Sequence, residues 1–279
     1  MQYNAFVFCS SKGGGINTYL WRELINDSIR PFVFQAWADD IVGMCEKLDF
    51  LDKNGSHVDY ALILLDLPAS FTKNPHDQVI NLRHYLLDGG NRFTYNTNYF
   101  VKFAQKPSQW MKAVKSKVGG VKLIHEYDTI WGDRFASNKD CWRELPPQDS
   151  LCYCTELTRQ TFLREVTYQK ESDIVYGEPS INGENIEILQ HMKDVLDRQR
   201  TKYKILICPQ YVFKNPMANL DDVKILGNIF GAENVYNYSV DCAYTRDYNY
   251  LSDPSHFGVR LGSLILQEMY GAKPATFAE

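Results

Sequence analysis

The chain has little that would take it into or across a membrane. Its longest purely apolar stretches, such as Ala61 to Leu65, fall far short of the ~18 to 20 residues that a span requires. An excess of positive charge is also missing. Thirty Lys and Arg stand against thirty-four Asp and Glu, a formal net charge of −4, so the overall balance supplies no attraction for a phosphate backbone and no nucleic-acid partner is expected. Nor does a nucleotide fingerprint appear: Gly13-Gly14-Gly15 is not followed by Gly-Lys-Ser/Thr, and Thr18 stands where G-x-G-x-x-G needs its third glycine. There is no Cys-x-x-Cys, and Cys152-Tyr153-Cys154 has no His-x(3–5)-His to complete it, so neither a metal nor another cofactor is expected. No basic segment with a cleavage site precedes Ala5-Phe6-Val7-Phe8, and the seven cysteines form an odd set partly embedded in apolar runs. Both features favour a reducing, cytoplasmic setting. A chain trimmed of an N-terminal anchor would begin on a strand in the same way and would belong outside the cytoplasm.

What is there reads as an ordinary globular protein. Its 279 residues are 44% hydrophobic and 23% charged, enough for one large or two modest domains. Short apolar runs, each followed by a turn and a helical pattern, predict an α/β fold of three layers with a central parallel sheet of about five strands. The expected strands are 5–9, 32–36, 60–67, 204–208 and 234–238. The expected helices are 17–26, 39–53, 184–199, 220–230 and 257–270. Ile41, Cys45, Leu48 and Leu51 form an inward stripe on the second helix, as do Ile188, Met192, Val195 and Leu196 on the third and Phe257, Leu261, Leu264 and Ile265 on the last. Residues from about 69 to 180 break this rhythm and read as a helical, aromatic-rich insertion in a single domain spanning 1–279, with helices near 77–87 and 95–115.

In open α/β sheets ligands gather beyond the carboxyl ends of the strands, so the residues just after each apolar run carry the information. After the first strand come Ser10, Ser11 and Lys12, ahead of the glycines. Before the last helix come Asp253 and His256, three residues apart. A serine needs a base to become nucleophilic and the base needs an orienting acceptor, so Ser11, His256 and Asp253 form a candidate triad. Simpler roles exist for each: Ser10 and Ser11 as turn residues, Asp253 as N-cap of the last helix with Pro254 at its first position, and the glycines as a phosphate cradle.

The strand, Ser-Ser turn and glycine loop over residues 8–17, with Asp-x-x-His before the last helix, resemble the SGNH (GDSL-like) hydrolase superfamily, nearest its Gly-Ser-Ser branch, which includes proteins of cell-wall D-alanylation and alginate O-acetylation. The likeness covers about the first 70 and last 100 residues. It implies a flavodoxin-like fold, Ser11 as nucleophile, His256 as general base and acid, Asp253 as its orienting carboxylate, and the Ser11 N–H as an oxyanion donor. The chain departs from the pattern at Cys9, at Ala36-Trp37-Ala38, where a backbone N–H near Ala38 is the second expected donor, and at Leu65-Asp66-Leu67-Pro68, which lacks the Gly-x-Asn-Asp of that branch. The resemblance thus implies a serine-dependent esterase or O-acyltransferase (an acetyltransferase, for example) whose partner is a small-molecule or polysaccharide acyl ester. The alternative is a glycan-binding or assembly protein on the same fold with little catalysis.

Lys12, Trp37, Asp66 and Arg134 are further candidates for substrate contact, and a subset of the insertion aromatics, among them Tyr95, Tyr99, Trp110, Tyr127, Trp131, Phe135 and Trp142, suits stacking on sugar rings. His57, His76, His84 and His191 lie beside charged or polar residues and read as solvated. His125 ends an apolar run beside two carboxylates and reads first as structural.

Overall fold

The computed structural model describes residues 3–36, 38–72, 86–87, 90–104 and 174–271. Five strands, β1 (Ala5–Cys9), β2 (Pro31–Gln35), β3 (Tyr60–Leu65), β4 (Lys202–Ile207) and β5 (Val235–Asn237), form one sheet in the order β2-β1-β3-β4-β5. Every pairing is parallel. Seven α-helices are described: α1 (Thr18–Ile25), α2 (Ile41–Lys53), α3 (Arg92–Ala104), α4 (Gly183–Arg198), α5 (Leu220–Phe230), α6 (Ala243–Arg246) and α7 (Val259–Tyr270).

Alternation along the strands builds the three layers. Phe6, Phe8, Ala61, Ile63, Ile205 and Ile207 face one side, where Met44 and Leu48 of α2, Leu189 and Met192 of α4 and Leu226 of α5 pack on them. Ala5, Val7, Leu62, Leu64 and Leu206 face the other side and meet Trp21 of α1 and Leu261, Ile265 and Leu266 of α7. Both faces of the sheet are covered, which explains the unbroken apolar run of β3.

The helix starts are set by side-chain caps. Asp40 accepts from Gly43 N–H at 2.9 Å to open α2, Asn182 and Asn185 cap α4 reciprocally, and Asn219 opens α5. The expected stripes lie inward with local shifts: Ile188 and Leu264 are only half-buried, while Leu189, Leu266 and Met269 take the fully buried positions beside them. Most strand and helix ends move by one or two residues from the expected bounds, β1 and α5 keeping theirs, and β3 stops at Leu65 because the chain turns at Asp66.

The chain divides into two compact units, Met1–Lys73 with Trp142–Glu279, and Asn74–Cys141. In the second, α3 is the described helix, starting three residues ahead of the expected Tyr95. The remainder of the helix expected to Lys115, most of that expected near 77–87, and Trp37, His76, His84, Trp110, His125, Tyr127, Trp131, Arg134, Phe135, Trp142, Cys152 and Cys154 lie outside the described residues.

Candidate active site

The carboxyl edge of the sheet gathers the loops that follow β1, β2, β3 and β4. Ser11 opens a 3-10 turn, Ser11–Gly15, just beyond β1. This turn separates Ser11 from α1, whose own N-cap is Asn17, in keeping with the helix start expected at residue 17. The glycines of the turn are buried and serve close packing. A Cβ on Gly13 would lie 2.2 Å from Cys9 Sγ, one on Gly15 would strike the Phe257 ring, and one on Gly262 of α7 would lie 1.9 Å from the Gly15 carbonyl. Turn and last helix therefore touch backbone to backbone, and the phosphate-cradle role is not the one these glycines play.

The same contact aligns the second part of the site. Leu251 and Phe257, both buried, pair as an antiparallel bridge, and residues 252–256 bulge between them. Ser252 N–H donates to the His256 carbonyl at 2.7 Å, while Asp253 Oδ1 accepts from the backbone N–H groups of Ser255 (2.8 Å) and His256 (2.9 Å). Asp253 thus caps its own turn. It is not the N-cap of α7, which is Gly258, because the bridge at Phe257 holds the chain extended up to that point.

The two parts meet. Ser11 Oγ lies 2.7 Å from His256 Nε2, and His256 Nδ1 lies 2.8 Å from Asp253 Oδ2 and 2.9 Å from Oδ1. The histidine and aspartate side chains are 19% and 20% exposed, enclosed yet open to a ligand. Burial pushes the Asp253 carboxyl up, but the hydrogen bond and charge of His256 and the two backbone N–H groups outweigh it, leaving the group below its ordinary value of 3.8. The carboxylate can then only accept, so in the neutral imidazole Nδ1 carries the proton and Nε2 offers its lone pair to the Ser11 hydroxyl. Cys9, two residues away, offers no rival nucleophile: burial pushes its thiol up to about 12.

Donors for an oxyanion are unequal. Among the described residues the Ser11 N–H has no hydrogen-bond partner, and it adjoins its own hydroxyl. Ala38 is exposed with φ of 46°, the left-handed region that favours glycine and costs an alanine ~1 kcal/mol. Beyond β3, the Asp66 carboxylate accepts hydrogen bonds and supplies no donor.

Two of the residues expected to touch substrate do other work. Lys12 is 2% exposed, donates to the Ser255 carbonyl and pairs with Asp66 Oδ1 at 3.2 Å. Gln210, after β4, donates to the same Asp66 oxygen at 2.5 Å, and Ser70 Oγ accepts from Asp66 N–H. The Pro254 carbonyl accepts from Tyr211 N–H at 2.8 Å and Asn215 Nδ2 at 2.6 Å. Lys12 is thereby a positioning residue, tying the loop that holds His256 to the loops after β1, β3 and β4. A second buried pair, Lys47 Nζ with Asp39 Oδ2 at 2.6 Å, also reaches the Phe34 carbonyl and anchors the loop after β2, next to Ala38. Neither pair was foreseen from the sequence. A lysine directly before three glycines, in a turn too tight for exposed side chains, was the available signal for the first.

No protein-family model matches the chain, and no curated protein matches it either. Among the described residues no helix is long and apolar enough to cross a membrane.

Proposed function

We propose that the chain is a serine-dependent acyl-ester hydrolase or O-acyltransferase of SGNH type, acting on an acylated carbohydrate. The observation that carries this reading is the Ser11–His256–Asp253 relay, with hydrogen bonds of 2.7 and 2.8 Å joining the ends of two loops at the carboxyl edge of a parallel sheet. His256 Nε2 takes the Ser11 proton as Oγ attacks the ester carbonyl. The oxyanion faces the Ser11 N–H, and collapse expels the alcohol, which receives the proton from His256. Asp253 holds the imidazole and balances the imidazolium charge. Water or a sugar hydroxyl then attacks the acyl-serine, His256 accepting its proton and returning it to Ser11 Oγ. The carbohydrate preference rests on the family resemblance and the aromatic residues of the middle region.

One observation favours a second reading, a glycan-binding or assembly protein with weak turnover. Asp66 occupies the loop where the family places an Asn donor, and the loss of one such donor costs ~10²–10³ in rate. Hydrolysis of a chromogenic acetate ester by wild type and Ser11→Ala separates the two. A rate abolished in the variant supports the enzyme, and equal rates in both overturn it.

A further inference from the structure

The layer of α2 and α4 carries a separate cluster of reactive side chains. Cys45 and Asp49 are four residues apart on α2, so the helical repeat sets them on one face. His191 reaches them from α4, and its Nε2 meets Asp49 Oδ1 at 2.9 Å. The Cys45 sulfur, an Asp49 oxygen and a His191 nitrogen all lie within 4.8 Å of one another. Cys45 is buried in the packed cluster that includes Leu48, Leu189 and Met192, whereas the Asp49 and His191 side chains are 27% and 53% exposed. The three donors thus share an apolar floor and open to solvent on one side.

The set has a definite chemical preference. Thiolate, imidazole and carboxylate together suit a borderline-soft ion, whereas magnesium and calcium take oxygen ligands. Zinc bonds of ~2.0–2.3 Å in a tetrahedron place ligand atoms roughly 3.3–3.7 Å apart, so small side-chain rotations suffice to close this trio on an ion. We infer that Cys45, Asp49 and His191 bind a zinc-class divalent ion, with water as the fourth ligand, and that the ion clamps α2 to α4. Binding exchanges the Cys45 S–H proton for the metal and releases it to solvent, with no change of oxidation state. The site was invisible in the sequence because its third ligand comes from a different helix, far along the chain.

The metal-free full chain titrated with cobalt(II) tests this, through the near-ultraviolet thiolate-to-cobalt absorption, with zinc binding read by metal analysis and by melting temperature. Wild type is expected to bind one equivalent at this site, show the band and melt higher with zinc. Cys45→Ser loses the band. His191→Ala, a change at an exposed position that spares the core, weakens binding at least ~10-fold, the least that even outer-shell partners of a metal cost. Because other cysteines of the chain can take cobalt, the decisive quantity is the difference between wild type and these variants. No metal bound by wild type, or equal band and affinity in wild type and both variants, overturns the inference. Should Cys45→Ser fail to fold, His191→Ala decides alone.

Discussion

Among the described residues, lysine or arginine pairs with aspartate both at the carboxyl edge of the sheet and on the outer surface of the helices, and the same chemistry has different consequences in each place. At the carboxyl edge of the sheet, Lys12–Asp66 and Lys47–Asp39 are enclosed, with both lysines and Asp39 almost fully buried. On the outer surface of the helices, Arg198–Asp52, Lys193–Asp197 and Lys224–Asp221 stand in solvent. Water screens the outer pairs and competes for their partners, so each contributes little. The enclosed pairs offset a large desolvation cost with close geometry and added hydrogen bonds to carbonyls, and removing one partner strands the other. Nothing about stability alone favours such pairs over apolar packing. What they achieve is position: each fixes a strand-end loop that an apolar residue could fill but not orient.

The comparison breaks most readily at the buried lysines. Lys47→Met leaves Asp39 enclosed without its cation and is expected to cost ~3–5 kcal/mol in urea denaturation, with Lys12→Met near the lower end because Asp66 is 19% exposed. The double variant Lys12→Met/Asp66→Asn sharpens the point. It strands no charge and recovers most of that stability, while ester turnover stays low because the Ser255 carbonyl still lacks its donor. Turnover restored along with stability would show the pair to be structural only.

A smaller effect is expected in acid. The folded Asp253 carboxyl lies below its ordinary value of 3.8, so its contribution is present above that value and is lost as pH falls through the lower, folded one. Urea midpoints followed from about pH 5 to about pH 2 should therefore fall more steeply for wild type than for Asp253→Asn. The smallest effect belongs to the surface. Arg198→Ala should change stability by no more than ~1 kcal/mol, and added salt should shrink even that.

Much of this arrangement was legible in the sequence, because it depends on local pattern. β1 and α5 begin and end where the apolar runs and turn residues place them, and the inward stripes of α2, α4 and α7 follow the helical repeat. Ser11, Asp253 and His256 stood out as polar residues at strand ends. The partners of the buried charges and of the tightly packed glycines were not legible. Lys12 and Asp66 read as residues facing a cleft because local pattern does not show that β1 and β3 are neighbours, and the glycines read equally as a phosphate cradle because it does not show Gly262 packed against Gly15. Asp253 looked like a helix cap because a turn that caps itself has the same local composition.

The most direct measurement of the central claim is covalent labelling of the full chain by a fluorophosphonate, with the modified residue read by mass spectrometry. Attack at phosphorus requires the same activated hydroxyl as attack on an ester, and the label stays in place. The account predicts one adduct, on Ser11, lost in Ser11→Ala and formed far more slowly in His256→Ala. An unlabelled wild type, or an adduct that persists unchanged when Ser11 is replaced, would contradict it.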